Sequence, residues 1–180
     1  MKKIFSKGLA LTMVGLLATS FLYAQMDKSK RPSPPETATG NAGGSDITIN
    51  YSSPAVKGRT IGKEIAPYDK VWRLGANEAT LFETSKDIKV EGKTLAAGKY
   101  TLYAIPGETE WTFIFNSNVK PGLWGINRDG SATEVPATDV LRVTVKPEKS
   151  ESMNERMKFV INHNGFELEW GNLRVPVSVK

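Results

Sequence analysis

GKYTLYAIPGETEWTFIF, residues 98–115, is the stretch whose reading decides the fold. In an extended chain Tyr100, Leu102 and Ala104 fall on one face and Thr101, Tyr103 and Ile105 on the other, because successive side chains of a strand point to opposite sides. Pro106-Gly107-Glu108-Thr109 then turns the chain into Trp111, Phe113 and Phe115, which alternate with Thr112 and Ile114. Two alternating runs joined by a Pro-Gly turn read as a β-hairpin. Apolar residues on both faces of its first strand place the hairpin at the centre of a core.

The same period of two continues outward in both directions. Ile47, Ile49 and Tyr51 alternate with polar residues until Pro54 removes a ladder donor. Further strands are expected at Asp139 to Val145, Met157 to His163, Phe166 to Trp170 and Leu173 to Val179, with shorter ones at Val71 to Leu74, Thr80 to Thr84 and Ile88 to Val90. Asn164-Gly165 marks a tight hairpin flanked by His163 and Phe166, and Gly171-Asn172 marks the next turn. Leu95 to Lys99 reads as a turn, and Val119 to Thr138, with five Gly and Pro residues, as a long surface loop. No long helical stripe is found. The pattern predicts an all-β chain, an antiparallel two-sheet β-sandwich of jelly-roll type, with a closed β-barrel as the alternative.

Lys2, Lys3 and Lys7 precede an apolar block from Leu9 to Leu22 and then Tyr23-Ala24-Gln25, which reads as a signal peptide over residues 1–25 with cleavage after Ala24. The block is too short and interrupted for a retained span, so no transmembrane segment is expected after cleavage. Removing it lowers the formal charge from +5 to +2, and no basic stripe interleaved with aromatics remains, so nucleic acid is not an expected partner. Residues 26–46, rich in Pro, Gly, Ser and Thr, read as a disordered linker, and residues 47–180 as one domain. With no cysteine, that domain must be held by its own core. The expected location is periplasmic or secreted.

Trp72-Arg73-Leu74-Gly75-Ala76-Asn77-Glu78-Ala79-Thr80 breaks the alternation with an indole, a guanidinium, an amide and a carboxylate around a Gly-Ala turn. A buried strand does not spend its positions this way, so the block reads as polar chemistry against a core. Catalytic constellations are absent around it. There is one histidine, His163, at a strand end without an identifiable orienting partner, no nucleophile elbow, no phosphate loop and no metal-ligand spacing, and no cofactor or metal is expected. Glu78 is the best single candidate for a catalytic carboxylate, but a buried Arg73–Glu78 pair describes the same residues. Trp170 continues the Phe166 and Leu168 face and reads as core.

The series Tyr51-Ser52-Ser53-Pro54, Lys57-Gly58-Arg59, Pro67-Tyr68, Val71-Trp72-Arg73, Gly75 to Thr80, Leu95 to Leu102, Trp111-Thr112 and Trp124-Gly125 resembles the domain-of-unknown-function family numbered 2911, found in exported bacterial proteins. The resemblance implies a β-sandwich outside the cytoplasm and brings no activity, substrate or catalytic residue. Three functions remain open. The favoured one is a non-catalytic module in which Arg59, Trp72, Arg73, Asn77, Glu78 and Trp124 line a polar, aromatic-walled pocket for a small molecule, glycan or envelope ligand. The others are a carboxylate-dependent hydrolase of envelope or extracellular carbohydrate acting through Glu78, and a purely structural envelope protein.

Overall fold

A computed structural model describes residues 27–120 and 127–180. The expected signal peptide and Trp124 lie outside the described residues. The described part of the first unit, residues 1–31, is a single 3₁₀ turn over Lys28–Lys30 capped by the Asp27 carboxylate. Residues Pro32–Lys180 form the second unit.

The chain is all-β. Its strands are β1 (Pro35–Ala42), β2 (Ser45–Ser52), β3 (Thr80–Thr84), β4 (Ile88–Val90), β5 (Lys93–Leu95), β6 (Gly98–Ile105), β7 (Trp111–Asn116), β8 (Asp139–Val145), β9 (Glu148–Asn162) and β10 (Gly165–Ser178). One antiparallel sheet runs β1-β2-β3-β6-β7-β8, a meander interrupted only by the β4–β5 hairpin. The long β9–β10 hairpin forms the opposing layer. Backbone bonds between Lys89 and Lys180, and from Glu91 N–H to the Ser178 carbonyl, join β4 to the end of β10. Ala55 bridges Arg156 on β9. The sheets are not closed into a barrel. Among the described residues no helix is long and apolar enough to cross a membrane.

The core lies between the layers and is predominantly aromatic. Phe82, Phe113 and Phe115 from the first sheet are fully buried; Phe82 and Phe113 meet Phe166 of β10, the latter at 5.8 Å, and Phe115 packs edge-to-face on Phe82 at 5.1 Å. Burying each such ring contributes about 1.5–3 kcal/mol, enough in sum to replace the missing disulfides. Tyr103 and Ile114 point the other way, into a smaller cluster that Ala132, Val71 and Ile105 cover. The apolar residues on both faces of β6 and β7 are thus accounted for.

The expected strands over Thr80–Thr84, Ile88–Val90 and Asp139–Val145 occur at those bounds. Five local readings need correction. Residues 35–42 of the expected linker are strand β1, paired along its whole length with β2. Its small residues reflect crowding, since a Cβ on Gly40 would sit 2.8 Å from Ile161 Cγ2. The β9–β10 turn is His163-Asn164, flanked by Asn162 and Gly165, one residue earlier than expected. Gly165 belongs to the strand because any Cβ there would lie 2.0 Å from the Val177 carbonyl oxygen. Gly171, with φ 58°, makes a bulge inside the continuous β10 instead of a turn between two strands. Lys93–Leu95 is strand β5, and Val71 to Leu74 contributes only a single bridge, at Trp72.

Candidate functional site

That bridge locates the unusual block. Trp72 and Ala104 exchange both backbone hydrogen bonds, at 2.7 and 2.8 Å, while Thr80 pairs with Leu102. Leu102 and Ala104 are adjacent same-face residues of β6, so the seven residues Arg73–Ala79 are looped out of a line that otherwise continues β3. The excursion is pinned from within and from both sides. The Thr80 N–H returns to the Arg73 carbonyl at 3.3 Å, and the buried Thr80 hydroxyl donates to the Leu74 carbonyl at 2.7 Å. The Ala76 N–H donates to the Ser52 carbonyl at 3.1 Å, and the Asn77 amide to that of Ser33 at 2.9 Å. Gly75 is required by close approach, its Cβ position lying 3.0 Å from the Ser52 oxygen and 3.1 Å from Thr80 Oγ1.

Strain concentrates here. Among the described residues five of the six non-glycine residues with positive φ, namely Lys57, Ala66, Asp69, Leu74 and Asn77, fall between residues 57 and 77. Such conformations persist only where surrounding contacts over-determine them, and they gather at binding and catalytic sites. Gly62 completes the loop with φ 91° and no room for a Cβ beneath the Tyr68 ring.

The loop from residue 59 to 76, the turn at Asp129–Gly130 with Ala132, and Trp170 of β10 enclose a cavity of about 550 Å³. That volume is in the range of small-molecule sites. Trp72 forms its apolar wall, stacked on Trp170 at 5.4 Å with an interplanar angle of 11° and edge-on to Trp111 at 6.2 Å. Arg59, Lys63, Lys70 and Arg73 supply positive charge, Glu64 and Asp129 negative charge. Each acid is already engaged. The Thr60 N–H, 2.6 Å from Glu64 Oε2, holds that carboxyl below its usual range, and the Ser131 hydroxyl and N–H do the same for Asp129. Lys70 is matched by Asp129, donating to its carbonyl and lying 3.9 Å from its carboxylate. Arg59 gives Nε and Nη2 to the carbonyls of Val56 and Ala55, at 3.1 and 2.8 Å.

Arg73 is different. Its half-buried guanidinium forms no ion pair among the described residues, its Nε is buried without a hydrogen-bond partner, and burial pushes its pKa down. Trp170, which lines the same cavity, buries its Nε1 without a partner as well. An unpaired buried donor costs about 1–3 kcal/mol, more when charged, so two such donors on residues lining one cavity mark it as unlike the rest of the fold.

Of the residues singled out from sequence, the cavity brings together Arg59, Trp72 and Arg73. Asn77 and Glu78 do not line it, and the Asn77 amide turns instead to the Ser33 carbonyl. Among the described residues no group of three or more His, Cys, Asp or Glu is placed to hold a metal ion. His163 is exposed at the β9–β10 turn, on the rim of a separate cleft of about 800 Å³. Sequence reasoning missed Lys63, Lys70 and Asp129 because nothing in a Gly- and Pro-punctuated loop announces which charges converge. Trp170 could have been found: its ring is core, as expected, but a buried indole needs an acceptor for its N–H.

Fold and cavity together define an antiparallel β-sandwich protein with a basic, tryptophan-walled cleft built on a looped-out strand. Residues 33–179 match the model of the family described as "Protein of unknown function (DUF2911)". The chain belongs to that family. Comparison with curated proteins and with solved structures returns no match.

Proposed function

We propose that this protein is an exported, non-catalytic ligand-binding module of the cell envelope, acting through the cleft walled by Arg59, Trp72, Arg73 and Trp170. The observation that carries the proposal is the buried, partnerless Nε of Arg73 on a cavity of small-molecule size. A fold held only by its core gains nothing from such a group, whereas a binding site gains a preorganised donor. Export rests on the basic start and apolar block of residues 1–25, and a periplasmic or secreted location follows from it.

A purely structural envelope role is the second reading, favoured by the way Thr80, Ala76 and Asn77 satisfy the excursion internally. The hydrolase reading has less support. Glu78 does not line the cavity, and the acids that do, Glu64 and Asp129, are held ionised by hydrogen bonds and ill suited to donate a proton.

The test is a thermal-shift screen of residues 26–180 against envelope glycans, peptides and small metabolites, repeated on Arg73→Met. A ligand at 100 times its Kd adds about 2.7 kcal/mol to stability. A shift present in the native protein and lost in the folded variant supports the module. Equal responses, or no response across the screen, leave the structural reading. Fractionating cells that express the full chain tests export, and retention in the cytoplasm overturns it.

A further inference from the structure

The chemistry of the cleft wall specifies the class of ligand, taking the cleft as the binding site proposed above. Both unmatched groups are donors: a guanidinium has five N–H groups and no acceptor, and an indole N–H can only donate. A ligand held at this wall must present acceptors to the guanidinium. Charge narrows the choice. Four cationic side chains face two carboxylates, so the lining is net positive even though Lys70 and Asp129 offset each other and Glu64, bonded to the Thr60 N–H, keeps its negative charge. Arg59 is braced by neutral carbonyls, which fix its plane without cancelling its charge, and Arg73 forms no ion pair among the described residues. An amine would be repelled. A neutral sugar would need an open aromatic face to stack on, but Trp72 and Trp170 stack on each other and Trp170 is only 2% exposed.

We infer that the cleft binds a small oxyanion, a carboxylate or a phosphate monoester, held by the Arg73 guanidinium beside the tryptophan wall, with Arg59 as a second, fixed positive charge. Guanidinium suits either group because its planar fork matches two oxygens. The stacked indoles give the site its own reporter, since an anion held at Arg73 changes the environment of the Trp72–Trp170 pair lining the same cleft.

The experiment titrates residues 26–180 with succinate, glycerol 3-phosphate and two neutral probes, succinamide and maltose, at low salt. It follows tryptophan emission, near-ultraviolet circular dichroism and melting temperature. At least one anion is expected to perturb the tryptophan signals and raise the melting temperature, with affinity roughly tenfold or more above its neutral counterpart. Arg73→Gln should lose that binding while keeping the native dichroism, and Arg73→Lys should recover part of it. Response to succinate alone assigns a carboxylate, and to glycerol 3-phosphate alone a phosphate ester. If succinamide or maltose binds as well as the anions, the oxyanion assignment fails and the binding module stands. If neither anion perturbs the protein, the oxyanion assignment falls, and the module falls with it only when the wider ligand screen is also silent. Anion binding unchanged in Arg73→Gln places the site elsewhere and overturns the proposal.

Discussion

The β6–β7 hairpin and the Arg73–Ala79 excursion meet where Trp72 bridges Ala104 of β6, and they are held in opposite ways. The hairpin is fixed by what it excludes from water: Leu102, Phe113 and Phe115 are fully buried and interlock with rings from β3 and β10. The excursion is fixed by what it bonds, through Thr80 to Leu74, Ala76 to Ser52 and Asn77 to Ser33. Apolar packing is non-directional and tolerates variation in detail. A loop held by single hydrogen bonds in left-handed conformations is committed to one geometry, which is what a preorganised site requires.

Breaking the hairpin should be the costlier damage. Phe113→Ala removes a fully buried ring that meets Phe166, and a loss of about 3–5 kcal/mol is expected in urea or thermal unfolding. A loss below about 1 kcal/mol would mean that the core does not depend on this contact. Thr80→Val tests the other side. It keeps the shape but leaves the Leu74 carbonyl without the buried hydroxyl, at an expected cost of about 1–3 kcal/mol. Faster limited proteolysis within residues 73–79 should accompany it, whereas Phe113→Ala should loosen the whole domain.

A third perturbation concerns the segment that shields the outer face of the sheet beside Tyr103 and Ile114. Glu134, its side chain 5% exposed, lies 3.0 Å from Arg142 and shares that arginine with Asp139. Burial, with a hydrogen bond to Asp139, pushes its pKa up to about 7, against the opposing pull of Arg142. Because the folded state favours the protonated form, its contribution is present in full below the ordinary pKa of 4.5 and is lost as pH rises through about 7. Stability measured from pH 4.5 to 7.5 should therefore fall relative to Glu134→Gln. Parallel curves would remove Glu134 from the account.

The same contrast explains what could be read from the chain. Alternation through residues 98–115 reports burial directly, so the central hairpin and the sandwich were legible. β1 was not: Pro35-Glu36-Thr37-Ala38-Thr39-Gly40-Asn41-Ala42 has almost no apolar alternation, because an edge strand crowded against β9 is held by its ladder with β2. Asn164-Gly165 announced the hairpin, but the one-residue placement depended on the contact of Gly165 with Val177, remote in sequence. The block from Trp72 to Thr80 was conspicuous for its polar residues. Its partners on Ser33, Ser52 and Ala104 lie too far along the chain for local pattern to reveal, and so does the divergence of Arg73 toward the cavity from Asn77 toward Ser33.

The smallest expected effect is the most discriminating, because its sign differs between the two regions. Removing a side chain from the hairpin must destabilise, since each one is matched to its surroundings. Arg73→Met should instead raise stability, by roughly 0.5–1 kcal/mol, because the arginine desolvates a charge that no ion pair among the described residues repays and methionine fills similar space without that penalty. The gain should shrink as salt increases, since counter-ions partly relieve the native charge. A loss of stability would show that the guanidinium supports the fold through contacts beyond those described, making the excursion a structural brace. A gain in stability together with loss of ligand response would show the opposite: the arginine is kept at a cost to the fold, and that cost is recovered only when the cleft is occupied.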